Sequence, residues 1–254
     1  MRSRRRGPLN WLLLPGGPGI GSESLHDLAD AMDVPGAVWM VDLPGDGSNK
    51  AAGNPFGKWP HVLVEAAQAL RNCIYVGHST GGMYLLATPA VEAHIVGLAL
   101  LSSAPDSGWR SQYETTIRRH PLPLVDAALA AYDRNRSDAR LRDVAVASAP
   151  WNFPPSSLHV GRVLLSRMPY NADAVDWSDR NFDNSYSAAW WPAKLPVLIM
   201  AGDEDGIVGQ QAGTIRGSAA TMSCAAPSPA AAIFRGSTMP TRCARPSPPS
   251  PGRS

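Results

Sequence analysis

The residues best suited to chemistry form the run Gly77-His78-Ser79-Thr80-Gly81-Gly82. The pattern G-x-S-x-G puts a serine on a tight strand-to-helix turn, where small residues two positions to either side relieve a crowded backbone. The Ser79 hydroxyl then projects above the sheet edge as a nucleophile. The helix that starts there adds free N–H groups and a positive dipole end, both of which favour an oxyanion. The chemistry is acyl transfer, which also needs a general base to take the serine proton. A second run, Pro15-Gly16-Gly17-Pro18-Gly19, offers backbone N–H groups with no Cβ in the way. This run would supply one half of an oxyanion hole and the N–H of Thr80 the other. The alternative for the glycine run is a loop that merely turns the chain.

An elbow of this kind needs a strand before it and a helix after it. Short apolar runs bounded by turn residues lie at 11–14, 38–41, 73–76, 95–101 and 196–200, which is how strands of a buried parallel sheet read. Helices are predicted between them: one opening at Ser24 with a weak capping box, one over about 62–70, and one from Gly82 toward Ala87. The alternation gives an α/β fold, a mostly parallel sheet flanked by helices. Residues 105–190 break the rhythm with helical pieces at 124–132 and 141–147 and with Trp109, Trp151, Trp177, Trp190 and Trp191. This insertion reads as a helical lid with an aromatic-lined pocket, or as ordinary helical packing. The expected organisation is sheet over 9–104, lid over 105–190, and sheet again over 191–208.

The remainder differs in kind. All 21 acidic residues lie at or before Asp205, whereas residues 209–254 hold five arginines and no acid. Of those 46 residues, 28 are Pro, Ser, Ala or Gly, too little apolar surface to offset backbone ordering. Disorder is expected there, with the final strand and closing helix lost. The bias is also what a GC-rich coding sequence gives out of frame, so a frameshifted tail is expected. Over the whole chain of 254 residues, 44% are hydrophobic and 17% charged, and no apolar run approaches the roughly 20 residues of a spanning helix. Cys73, Cys224 and Cys243 give neither a disulfide framework nor zinc spacing. The Arg2 to Arg6 cluster lacks the apolar core of an export signal behind it. A cytoplasmic protein is expected, with no membrane partner, no metal and no cofactor. A third reading, a nucleic-acid or membrane-surface binder acting through the tail, rests only on scattered arginines without aromatic interleaving, and no nucleic-acid partner is expected.

Four motifs in order carry a family resemblance: Leu12-Leu13-Leu14-Pro15-Gly16-Gly17-Pro18-Gly19, Val41-Asp42-Leu43-Pro44-Gly45-Asp46-Gly47-Ser48, the elbow at Ser79, and Val197-Leu198-Ile199-Met200-Ala201-Gly202-Asp203-Glu204-Asp205. Together they resemble the α/β-hydrolase fold, nearest to its proline iminopeptidase-like branch. The resemblance covers about residues 9–208. It implies Ser79 as nucleophile, Thr80 and Gly17 or Gly16 as oxyanion hole, and Asp205 as triad acid, with Asp203 as its rival two residues away. Asp42 would support the loop network or simply cap a turn. Pro15 and Thr80 depart from the peptidase branch, which has His and usually Trp there.

The family's chain order is Ser, Asp, His. The six histidines here are His26, His61, His78, His94, His120 and His159, and none follows Asp205. His78 is expected to pack locally, and His120 and His159 lie in the lid. The expected function is therefore a serine hydrolase acting on a small ester or an N-terminal peptide bond through an acyl-enzyme, impaired for want of a base. The alternative is a small-ligand-binding member of the same fold without turnover. The sequence leaves the oligomeric state open.

Overall fold

The computed structural model describes residues 1–50, 54–202 and 205–208, and the backbone of Thr221–Ala226. A two-residue strand β1 (Ser3–Arg4) precedes β2 (Asn10–Leu14), α1 (His26–Ala31), β3 (Ala37–Met40), α2 (Trp59–Gln68), β4 (Cys73–His78), α3 (Thr80–Leu86) and β5 (Ile95–Leu101). The insertion then supplies α4 (Trp109–Arg119), α5 (Pro123–Arg134), α6 (Asp138–Ala147), α7 (Ala149–Asn152), α8 (Leu158–Arg167) and α9 (Ala172–Asn181). Strands β6 (Val197–Gly202) and β7 (Thr221–Ala226) complete the described sheet. The predicted capping box is not formed as such: the Ser24 hydroxyl donates to the Gly21 carbonyl at 2.8 Å, and α1 begins only at His26.

The seven strands lie in the order β1-β3-β2-β4-β5-β6-β7. All neighbours are parallel except β1, which runs antiparallel to β3. Successive side chains of a strand point to opposite faces, and here both faces are covered. Leu12, Leu14 and Tyr75 pack with Trp59 and Leu63 of α2 and Leu85 of α3. Leu13, Val38, Val76 and Ala99 pack on the other face with Leu25 and with Ala29 of α1. Hence the strands read as unbroken apolar runs.

The chain leaves β2 toward one edge to form β3, then crosses back to place β4 on the other side of β2. That reversal makes β2/β4 the topological switch point, where ligands of open α/β sheets bind beyond the carboxyl ends of the strands. The register pairs Leu14 of β2 with Gly77 of β4. Two residues further along each strand, Gly16 and Ser79 therefore leave the sheet side by side.

One expectation is corrected. The composition predicts no strand after residue 208, yet β7 runs parallel to β6 from Val197↔Thr221 to Gly202↔Ala226. An open strand edge presents unpaired N–H and C=O groups, and pairing with it requires a backbone rather than the apolar side chains from which strands are read. The rest of the segment expected to be disordered or frameshifted, including the closing helix expected to be lost, lies outside the described residues. Among the described residues no helix is long and apolar enough to cross a membrane.

Candidate active site

Ser79 sits between β4 and α3 at φ 50°, ψ −123°. A positive φ in a residue with a Cβ is strained, and it persists only where the surroundings over-determine it. Here they do. The Ser79 N–H donates to the Leu101 carbonyl of β5 at 2.8 Å, and its own carbonyl accepts from Gly82 at 3.0 Å. The flanking glycines are fixed by close approach. A Cβ on Gly77 would stand 2.6 Å from the Gly82 Cα, and one on Gly81 would stand 2.4 Å from the Pro15 carbonyl oxygen. The elbow thus presses directly on the glycine loop in front of it.

That loop carries the other sequence-predicted residues. A Cβ on Gly16 would meet the Ser79 Cβ at 2.7 Å, and Gly17 lies at φ +122°. The Thr80 hydroxyl donates to the Gly17 carbonyl at 3.0 Å, tying elbow to loop. The backbone N–H groups of Gly16, Gly17 and Thr80 meet no acceptor among the described residues. Unspent donors beside a strained serine are what an incoming oxyanion needs.

A residue not singled out in the sequence holds this loop in place. Asp46 is buried, and its Oδ1 accepts from the N–H groups of Gly19 at 2.8 Å, Gly47 at 3.0 Å and Gly21 at 3.3 Å. Burial pushes its carboxyl up to about 6, although the three N–H groups pull the other way. Asp42 does support the network: its Oδ1 accepts from the Ser22 N–H at 2.7 Å, and burial again raises the carboxyl. The signal for Asp46 was an acid between two glycines of positive φ, Gly45 and Gly47. The insertion clamps the same loop from outside. Asn171, at the start of α9, donates its N–H to the Gly19 carbonyl at 2.8 Å and its Nδ2 to the Gly45 carbonyl.

Asp205 lies in the turn after β6, its N–H donating to the Gly202 carbonyl at 3.1 Å. Its Oδ1 accepts from Val208 at 2.9 Å and from Ile207 at 3.0 Å, which holds the turn closed. Val208, 2% exposed, packs with Met83 of the elbow helix, so the acid turn is anchored on α3. Burial lowers the His78 imidazole pKa, and the Asp205 carboxylate opposes that shift, so the acid's field reaches the residue beside Ser79. Asp203 lies outside the described residues. His78 packs as expected, but its buried Nδ1 has no hydrogen-bond partner. His159 is exposed on α8, whereas His120 lines a cleft that also touches Gly206.

The tryptophans divide. Trp177 meets Trp59 edge-on at 5.2 Å, and Trp190 donates to the Leu85 carbonyl at 2.7 Å, so these two pack the insertion onto α2 and α3. Trp151 lines the cleft that His120 also touches. No group of three or more His, Cys, Asp or Glu among the described residues is arranged to hold a metal ion.

A family model described as the alpha/beta hydrolase family matches residues 11–238. A pimeloyl-(acyl-carrier protein) methyl ester esterase of Xanthomonas oryzae pv. oryzae (strain MAFF 311018) is 30% identical over 143 residues, 50% of this chain and 56% of the relative. That of Xanthomonas axonopodis pv. citri (strain 306) is 30% identical over 80 residues, 32% of this chain and 31% of the relative. The chain thus spans about a third to just over half the length of these curated relatives. Among solved structures, an esterase from Exiguobacterium antarcticum superposes with TM-score 0.64 at 16% identity, covering 88% of this chain and 85% of that one. A proline iminopeptidase of Mycobacterium smegmatis gives 0.54 at 17% identity, covering 88% and 84%. At these identities the likeness is one of fold, and the peptidase branch is one neighbour among several.

Proposed function

The chain belongs to the alpha/beta hydrolase family, and on that premise we propose that it is a serine hydrolase acting on a small carboxylic ester through an acyl-enzyme on Ser79. The observation that carries this reading is the strained Ser79 at the switch point of the sheet, with Gly16 packed against it. In the reading, Ser79 Oγ attacks the ester carbonyl, and the N–H groups of Thr80 and Gly17 receive the developing oxyanion. The alkoxide leaves with a proton, and water then cleaves the acyl-enzyme. Asp205 holds the position of the triad acid, which in the family orients a histidine base that these residues do not supply. An ester is favoured over an N-terminal peptide bond because the curated relatives are named as methyl ester esterases and because Pro15 and Thr80 depart from the peptidase pattern.

None of the six histidines among residues 1–254 follows Asp205, and in this reading the Ser79 proton is lost slowly, without the base the family uses. Loss of one triad member leaves a rate about 10³ to 10⁴-fold above water in serine proteases, and a turnover of that order is expected here. A fluorophosphonate probe should label the chain slowly, and Ser79→Ala should abolish labelling. Labelling that persists in the variant sinks the assignment of Ser79. A second reading, a ligand-binding member of the fold without turnover, draws on the same missing histidine. It takes over if a folded chain never labels yet binds an ester unchanged by Ser79→Ala.

A further inference from the structure

A cleft of about 630 Å³ opens where α4 turns into α5, beside α7 and the acid turn. Its wall includes Thr116, Arg119, His120, Leu122, Trp151 and Gly206. Thr116 and His120 are one helical turn apart and share a face. The Thr116 hydroxyl donates to the carbonyl of Gly206, the residue after Asp205, and so fixes this face against the acid turn. The His120 backbone and the Trp151 indole N–H are already satisfied. The His120 N–H donates to the Thr116 carbonyl at 2.9 Å, and its carbonyl accepts from Trp151 Nε1 at 2.8 Å. Tyr113 backs Trp151 edge-on at 5.8 Å. Beside these groups the cleft is lined by the apolar residues Leu122 and Trp151 and by the two basic residues Arg119 and His120.

The charges are one-sided. Arg118 pairs with Glu114 at 3.8 Å, but Arg119 has no carboxylate partner among the described residues. None of the described lining residues is acidic. The Asp205 carboxylate nearby is turned onto the N–H groups of Ile207 and Val208. A guanidinium with no carboxylate partner among the described residues, in a cleft that it shares with an aromatic and an aliphatic residue and that has the size of a ligand pocket, suits the anionic end of an amphipathic molecule.

We propose that this cleft is an anion subsite: Arg119 and His120 hold a carboxylate or phosphate, and Trp151 and Leu122 hold the apolar group next to it. The inference deepens the hydrolase reading and rests on it, since it makes the substrate an ester that carries an anionic group away from the reacting carbonyl. The test is calorimetric titration of the full chain carrying Ser79→Ala with phenyl phosphate, benzoate and, as neutral control, benzyl alcohol. Both anions should bind, and added salt should weaken them. Arg119→Gln should weaken them about tenfold or more, whereas Arg118→Gln should change nothing. Preference for one anion selects phosphate or carboxylate as the recognised group. Arg119 is exposed, so its replacement leaves the fold intact. Absence of heat with both anions, or equal affinity in Arg119→Gln, overturns the subsite. Because binding is read without turnover, failure of the chain to label or hydrolyse bears on the catalytic reading alone.

Discussion

At the scale of single residues, the elbow is held by what its glycines lack. Gly81 has the Pro15 carbonyl oxygen 2.4 Å from where a Cβ would stand, and that oxygen is backbone with no rotamer to escape through. Gly81→Ala must therefore push the glycine loop away from the elbow. We expect a loss of about 1–3 kcal/mol in urea unfolding, together with loss of fluorophosphonate labelling, because the displaced loop carries Gly16 and Gly17. Gly57 is the control: nothing lies within 4 Å of its Cβ position. Gly57→Ala should leave both readouts unchanged or stabilise slightly, by about 0.4–1 kcal/mol, through the unfolded chain. If Gly81→Ala behaves like Gly57→Ala, the close packing of elbow on loop is wrong. The same contrast explains why the tight turn at Ser79 and the glycine loop beside it could be read from the sequence. Strain and close approach admit few residue types, so they leave a written trace. Asp46 leaves a fainter one, because its partners Gly19 and Gly21 lie 27 and 25 residues away in the chain and an acid in a glycine turn has ordinary local uses.

At the scale of elements, the central strands were legible because both sides of each are buried, so that nearly every residue must be apolar. Strand β7 was not, since its pairing with β6 is a matter of backbone and its sequence is small and polar. The insertion shows the complementary failure. Helix α4 buries none of its residues fully although Trp109, Tyr113 and Ile117 share one face, and α9 buries the small residues Ala172, Ala174 and Ser178, so neither helix shows a deeply buried stripe of large apolar side chains. Besides the packing of Trp177, a cap fixes α9: Asn171 Oδ1 accepts from the Asp173 N–H at 3.1 Å while its Nδ2 reaches the Gly45 carbonyl. One side chain therefore starts the helix and clamps the loop that Asp46 holds from within. Asn171→Ala removes both bonds and should cost about 1–2 kcal/mol. Amide hydrogen exchange should speed up in the first turn of α9 and at Gly45 to Gly47 together. Faster exchange in α9 alone would mean that the insertion does not brace the loop.

For the molecule as a whole, the insertion–core interface is where charge has been taken out of water. Asp46 lies under the glycine loop and Asp183 just beyond α9, and burial pushes each carboxyl up to about 6. Both also act on Tyr84 of the elbow helix, whose hydroxyl burial raises first and most. A carboxyl whose folded value exceeds its unfolded 3.8 binds protons more tightly when folded. Its contribution to stability is thus fully present below about pH 3.8 and is lost as pH rises through about 6, the reverse of a salt-bridged acid. For Asp46 the loss is of order 2–3 kcal/mol; for Asp183, which is less enclosed, it is smaller. Asn at position 46 keeps an oxygen for the N–H groups of Gly19, Gly21 and Gly47 but cannot ionise. In urea titrations, wild-type stability relative to Asp46→Asn should fall between pH 4 and pH 7 and level off above. A difference that rises with pH would show that the three N–H groups outweigh desolvation and that the ionised carboxylate stabilises the loop. The catalytic reading couples to this balance, since the loop that ionisation strains is the one that presents Gly16 and Gly17 to Ser79.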